Sequence, residues 1–362
     1  MRVLEWLALL VVCVTFLPES VRSEPLVPCF FVFGDSLVDN GNNNIIVSMA
    51  RANYAPYGID FPLGPTGRFS NGLTTVDVIA QLLGFENYIP PHSQASGSSL
   101  LSGVNYASAA AGIRGETGRQ LGARIDFTEQ LRNYKNTVSQ LVNILGSEES
   151  AAEHLSQCIY YVGMGSNDYL NNYFMPENYD TSNRYTPEQY ADALANQYRQ
   201  QLKTLYSYGA RKVAVIGVGL VGCSPNKLAS GSNDGITCVG KVNNAISFLN
   251  KRLTTLVADF NNKLEGSKFT LIDTFNMLGD ILRNPGAHGF TNSNAGCCGV
   301  GRNRGQITCL PFQIPCTNRN QYLFWDAFHP TEAANIVFGK ISYIDSSNRY
   351  CHPYDIRTLA LL

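Results

Sequence analysis

Val27-Pro28-Cys29-Phe30-Phe31-Val32-Phe33-Gly34-Asp35-Ser36 is the stretch that decides the fold. A nearly continuous apolar run stopped by a glycine reads as a strand buried on both faces, as in a parallel sheet. Similar runs recur at 158–162, 212–217 and 269–272, with a weaker one at 104–107. Helical patterns separate them. One starts near Ser70 and passes Val76, Ile79, Leu82 and Leu83 to a stop at Gly84. A second spans Thr128 to Leu145, with Leu131, Tyr134, Val138, Leu141 and Leu145 on one face. A third opens on Thr186-Pro187-Glu188-Gln189, a capping box with proline at the first helical position, and runs to Tyr208. Further helices are expected at 240–264 and 331–343. Strands alternating with helices predict an α/β chain: a three-layer, doubly wound, mostly parallel sheet with helices on both faces. No repeat or linker interrupts it, so residues 24–362 read as one domain.

In such sheets the chemistry sits at the carboxyl ends of the strands, and Gly34-Asp35-Ser36 lies at one. Gly-Asp-Ser alone is equally an ordinary turn, since all three residues favour turns, and the Gly-x-Ser-x-Gly elbow occurs nowhere in the chain. A nucleophilic serine also needs a base, an orienting carboxylate and oxyanion donors. Histidines occur only at 92, 154, 288, 329 and 352. His329 sits in Phe324-Trp325-Asp326-Ala327-Phe328-His329-Pro330-Thr331, where the i, i+3 spacing lets Asp326 accept from the ring Nδ1–H. The bland alternative is a helix-capping aspartate beside a buried histidine. His352, three residues before Asp355, has the reverse order and reads as surface. Gly165-Ser166-Asn167-Asp168-Tyr169 follows a predicted strand and puts the Asn167 amide at the same sheet edge as Ser36.

The bulk properties bound the setting. Met1-Arg2, an apolar run from Trp6 to Phe16 and the small-residue stretch ending at Ser23 have the layout of a secretory signal peptide over 1–23. Lys+Arg of 27 against Asp+Glu of 28, with no basic run, argues against a nucleic-acid partner. Ten cysteines, one of them Cys13 in the expected signal, point to disulfides rather than zinc, because the adjacent Cys297 and Cys298 do not match knuckle spacing. Cys297, Cys298, Cys309 and Cys316 would staple a Gly- and Asn-rich loop over 286–319, Cys223 and Cys238 would close another, and one thiol is left over. Gly217-Val218-Gly219-Leu220-Val221-Gly222 spells a dinucleotide fingerprint, but residues 223–235 read as loop where phosphate binding needs a helix. These glycines are expected to shape a loop beside the active site.

Phe-Gly-Asp-Ser at 33–36, Gly-Arg-Phe-Ser-Asn-Gly at 67–72, Asn-Tyr-Ala-Ser at 105–108, Gly-Ser-Asn-Asp-Tyr at 165–169 and Phe-Trp-Asp-x-x-His-Pro-Thr at 324–331 together resemble the plant-type GDSL esterase/lipase family of the SGNH hydrolase superfamily. The resemblance covers nearly the whole chain after residue 23. It implies a flavodoxin-like hydrolase fold and a secreted enzyme cleaving carboxylic esters through an acyl-enzyme. It implies Ser36 as nucleophile, His329 as base and Asp326 as its partner, with the Ser36 amide and Asn167 in the oxyanion hole. No cofactor or metal is implied. The family's second block often reads Ala-Ser-Gly-Gly-Ala-Gly, whereas here it is Ala107-Ser108-Ala109-Ala110-Ala111-Gly112. Alanine keeps an N–H, so Ala110 is assigned as the remaining donor provided the backbone does not need positive φ there. An acyltransferase built on the same triad and a non-catalytic wall-binding protein are the rival readings. Lipid, cutin, wax and acetylated polysaccharide all stay open as substrates.

Overall fold

The computed structural model describes residues 24–362, so the expected signal peptide and Cys13 lie outside the described residues. Four parallel strands, β1 Phe30–Gly34, β2 Ile159–Gly163, β3 Lys212–Ile216 and β4 Lys268–Ile272, lie side by side in that order. A short antiparallel edge strand, β7 Cys351–His352, closes the sheet beyond β4. Two more strands, β5 Asn292–Gly296 and β6 Tyr322–Phe324, pair separately. The weak run at 104–107 forms no full strand. It still pairs with the free side of β1, through Val32 N–H to Val104 O and Tyr106 N–H to Val32 O at 3.0 and 2.8 Å.

The helices are α1 Thr75–Leu83, α2 Phe127–Leu145, α3 Glu148–Gln157, α4 Pro187–Ser207, α5 Pro225–Gly231, α6 Gly240–Lys263, α7 Thr274–Arg283, α8 Glu332–Tyr343 and α9 Ile356–Leu361, with shorter helical turns between. Strand side chains alternate between two cores, as a pleat requires. Phe31, Phe33, Tyr160, Val162, Val213, Val215, Phe269 and Leu271 face α2, α3, α4 and α6. Phe30, Val32, Ile159, Tyr161, Ala214, Ile216 and Ile272 face α1, α7, α8 and α9. The fold is therefore the expected three-layer α/β/α arrangement. The link from β1 to the 104–107 segment runs through α1 on one face, and the link from there to β2 through α2 and α3 on the other. The connections part at β1, which makes its carboxyl end the switch point where open α/β sheets form their crevice.

Local chemistry explains where the elements start. The first helix begins at Thr75, not near Ser70, because Thr74 and Asp77 form a reciprocal capping box. The expected loop over 223–235 is helical in its first half, since Ser224 caps and Pro225 takes the first helical position. Beneath β1 the buried rings of Phe31, Phe33, Tyr106, Tyr134 and Tyr160 pack at centroid distances of 5.0–6.5 Å. Their hydroxyls are satisfied, Tyr106 by Thr137, Tyr134 by Tyr160, and Tyr160 by the Leu155 carbonyl.

Cysteine pairing completes the frame. Cys223–Cys238, Cys297–Cys316 and Cys298–Cys309 staple the expected loops. Cys29–Cys158 joins the amino ends of β1 and β2, and Cys351 is the thiol left over, buried on the edge strand. No helix among the described residues is long and apolar enough to cross a membrane.

Candidate active site

The carboxyl end of β1 delivers Ser36 by a turn that Asp35 makes. The Asp35 Oδ1 accepts the Leu37 N–H at 3.0 Å, and its carbonyl accepts from Val38 and Asp39. Gly34 is needed for close approach: a Cβ there would stand 2.5 Å from Val38 Cγ2. The Gln130 amide from α2 bonds both the N–H and the carbonyl of Gly34, at 3.1 and 2.9 Å, holding the strand end rigid. Ser36 is left half-buried with its Oγ 2.8 Å from His329 Nε2.

His329 and Asp326 sit on one turn between β6 and α8. Asp326 Oδ1 accepts the backbone N–H groups of Phe328 and His329, each at 2.8 Å, which shapes the turn. The His329 Nδ1 lies 2.8 Å from both carboxylate oxygens. Two donors from elsewhere complete the carboxylate: Tyr57 Oη at 2.5 Å and Thr308 Oγ1 at 3.1 Å, both to Oδ2. Burial opposes the charge on Asp326, but the His329 ring, the Tyr57 hydroxyl and the Phe328 N–H outweigh it and hold the carboxyl below its ordinary range. Burial and the adjacent carboxylate push the Tyr57 phenol well above its own, so it stays a donor. On its other side the imidazole meets Phe69, ring centroids 4.9 Å apart. Phe69 belongs to the 67–72 block, which is anchored by the buried Arg68–Asp77 ion pair and by Asn71 accepting the Glu332 N–H.

The three groups expected as oxyanion donors lie at the same cavity as Ser36. The N–H groups of Ser36 and Ala110 have no backbone acceptor among the described residues, and both residues line the cavity. Asn167 is oriented by Asn171, whose Nδ2 donates to the Asn167 Oδ1 at 2.6 Å. Its own Nδ2 faces the Ala111 carbonyl at 3.0 Å and Asp35 Oδ2 at 3.3 Å. The condition set for Ala110 is not met: its φ is +65°, a left-handed backbone that alanine adopts at a cost. The N–H is nonetheless kept, because the flanking segment is clamped. Asp39 and Asn43 together accept the Ala109 N–H, Asn43 also accepts the Ser108 hydroxyl, and Asn42 Nδ2 donates to the carbonyls of Asn105 and Ala107.

The sequence reading missed this clamp, together with Tyr57 and Thr308. Its signal was the dense Asp39-Asn40-Gly41-Asn42-Asn43 run, whose side-chain amides are suited to bonding backbone. Tyr57 and Thr308 carried no signal beyond position inside loops. The reading of His352 as surface agrees with its exposure.

The cavity at Ser36 has a volume of about 350 Å³ and apolar walls from Tyr161, Ile216, Leu278, Phe328 and Phe338. Residues 217–221 of the glycine fingerprint form part of its wall, with Gly222 tied by its N–H to Asn243 at 2.8 Å. Among the described residues only Cys29, His154 and Cys158 approach metal-ligand spacing. Both sulfurs are already joined in a disulfide, so they offer no thiolate.

Two outcomes follow from this geometry. Ala110→Gly relieves a left-handed penalty of about 1–2 kcal/mol and gives up roughly 0.8 kcal/mol of methyl burial. Chemical denaturation should find the variant no less stable than the parent, and a clear loss would refute the strained backbone. Burial pushes the Asp35 carboxyl from 3.8 up to about 6, against the Leu37 N–H and the charge of His329. Between those values the folded chain binds a proton that the unfolded chain does not, so Asp35 lowers stability as pH rises through that window. Measured at about pH 4 and about pH 7, Asp35→Asn should gain relative to the parent by about 2 kcal/mol. A difference independent of pH would contradict it.

Comparison with known proteins shows the family to which the chain belongs. A model of the GDSL-like lipase/acylhydrolase family matches residues 30–341. A GDSL esterase/lipase of Arabidopsis thaliana is 60% identical, covering 98% of this chain and 98% of its own length. Another from the same plant is 61% identical over 95% of this chain and 94% of its own, and a more distant one 46% identical over 97% and 98%. A matching family model over most of the chain, and relatives this similar along nearly their whole length, make the protein a member of the GDSL esterase/lipase family.

Proposed function

We propose that the protein is a secreted serine esterase that hydrolyses carboxylic esters with an apolar acyl group. One observation carries the reading: a continuous 2.8 Å relay from Ser36 Oγ to His329 Nε2 and from His329 Nδ1 to Asp326, joining residues 293 positions apart at the mouth of an apolar cavity. His329 takes the Ser36 proton as Oγ attacks the ester carbonyl, and Asp326 stabilises the imidazolium that forms. The oxyanion is received by the N–H groups of Ser36 and Ala110 and by Asn167, which exchanges its long bond to Asp35 for it. His329 protonates the departing alcohol, and water repeats the sequence on the acyl-enzyme. Four disulfides among the described residues suit an oxidising compartment.

Tyr57 is a positioning residue in this scheme. Its hydroxyl is spent on Asp326, and it fixes the carboxylate that orients the base.

Ser36→Ala should lower turnover of a short p-nitrophenyl ester by several powers of ten, since removing such a nucleophile costs on the order of 10⁶ in a well-studied protease. It should also abolish labelling by a fluorophosphonate, and parent-like hydrolysis would end the assignment. Tyr57→Phe removes a charge-assisted hydrogen bond and should reduce kcat about tenfold with KM near the parent value. A matching rise in KM, or an unchanged kcat, would show that Tyr57 merely fills space.

A further inference from the structure

Among the described residues, every large apolar side chain more than 70% exposed lies on one of two loops: Ile45 at 74%, Val47 at 86% and Met49 at 73% on the first, Phe312 at 86% and Ile314 at 88% on the second. Single exposed apolar residues are ordinary, whereas a cluster marks a contact surface. These loops are neighbours. The Phe312 N–H donates to the Ala55 carbonyl at 2.8 Å, and Tyr54 Oη donates to the Cys309 carbonyl at 2.9 Å. Both loops also reach the cavity that holds Ser36, contributing Met49 and Tyr54 from the first and Thr308 from the second to its wall, so their exposed tips flank it as a rim.

The backbone supplies a second, independent observation. Phe312 has φ +62°, a left-handed conformation that is a marked outlier for a bulky side chain. A strained residue persists only where its surroundings over-determine it. Here the Ala55 hydrogen bond, the Gln313 N–H to the Leu310 carbonyl, and the two staples Cys297–Cys316 and Cys298–Cys309 enforce it. The strain does not bury the ring, for it leaves the ring in solvent. Neither loop carries an acid over 40–59 or 297–318, and their charges are Arg51, Arg302 and Arg304. A surface seated on this rim has no carboxylate to dehydrate.

We propose that this rim docks on a lipid–water interface, so that the substrate is an aggregated acyl ester drawn from that surface into the cavity. The proposal rests on the ester-hydrolase reading of Ser36 for the fate of the substrate, and docking itself does not require catalysis. An apolar rim enters the acyl layer by burying its side chains, aided where the lipid is anionic by the arginines. The cavity mouth then opens directly onto ester groups.

The test compares the parent with Phe312→Asn/Ile314→Gln. Asparagine accepts the left-handed backbone better than phenylalanine, and both sites are exposed, so the variant keeps its fold, as circular dichroism would verify. The parent should float with phosphatidylcholine vesicles and hydrolyse an emulsified long-chain ester. The double variant should partition at least about tenfold more weakly and lose emulsion activity in proportion, while hydrolysing a dissolved short-chain ester at the parental rate. Ser36→Ala should float as the parent does while losing its esterase activity, which separates docking from catalysis: a parent that floats yet hydrolyses no ester, or a Ser36→Ala variant that hydrolyses as the parent does, overturns only the catalytic reading. A parent that does not float, a double variant that floats equally, or a parent dimer in sedimentation velocity that the double variant abolishes would overturn the docking proposal.

Discussion

A fully buried carboxylate is tolerable only if its oxygens are hydrogen-bonded, and Asp326 meets that condition with donors from three separate parts of the chain. Phe328 and His329 provide the local turn, Tyr57 comes from the loop after β1, and Thr308 from the stapled loop before β6. Satisfying this one charge therefore fixes the imidazole, anchors two long loops and sets the rim of the cavity. The Cys298–Cys309 bridge closes one position from Thr308, so the staple acts on the site through its neighbour's hydroxyl. Had the carboxylate been solvated, neither loop would be needed where it stands.

The other half of the site is organised around backbone rather than charge. Ser36 projects from a strand end immobilised by Gln130, and the Ala110 segment is clamped by Asp39, Asn42 and Asn43. Preorganised donors act without reorganising during reaction, and a clamp of this kind holds an alanine in a conformation better suited to glycine. The cost is offset by the hydrogen bonds on either side of it.

Much of this was legible in the sequence, for reasons that differ by residue. Buried parallel strands are continuous apolar runs, so β1 to β4 stood out, and Thr186-Pro187-Glu188-Gln189 announced a helix start that the structure has at Pro187. A strand end and an i, i+3 pair suggested Ser36, Asp326 and His329, which do meet in space, but it took the resemblance of five segments to a known family to single them out from ordinary turns. Tyr57 and Thr308 were not, because each meets Asp326 only through tertiary packing, and a tyrosine or threonine in a loop has no periodicity to betray it. Helix α3 buries only Ala151 and Leu155, too few for an apolar stripe. The left-handed backbone at Ala110 could not be foreseen from local sequence, because the groups that hold the adjoining Ala109 N–H, Asp39 and Asn43, are far away in the chain.

Cys351 gives the covalent frame an unexpected robustness. Burial first, and then the carboxylates of Asp345, Asp355 and Asp273, push its thiol far above the ordinary range. Only a thiolate attacks a disulfide, so the odd sulfur in a chain of four bridges is chemically silent. Among the described residues, the leftover cysteine is therefore poorly suited to start an exchange that would scramble the native pairing.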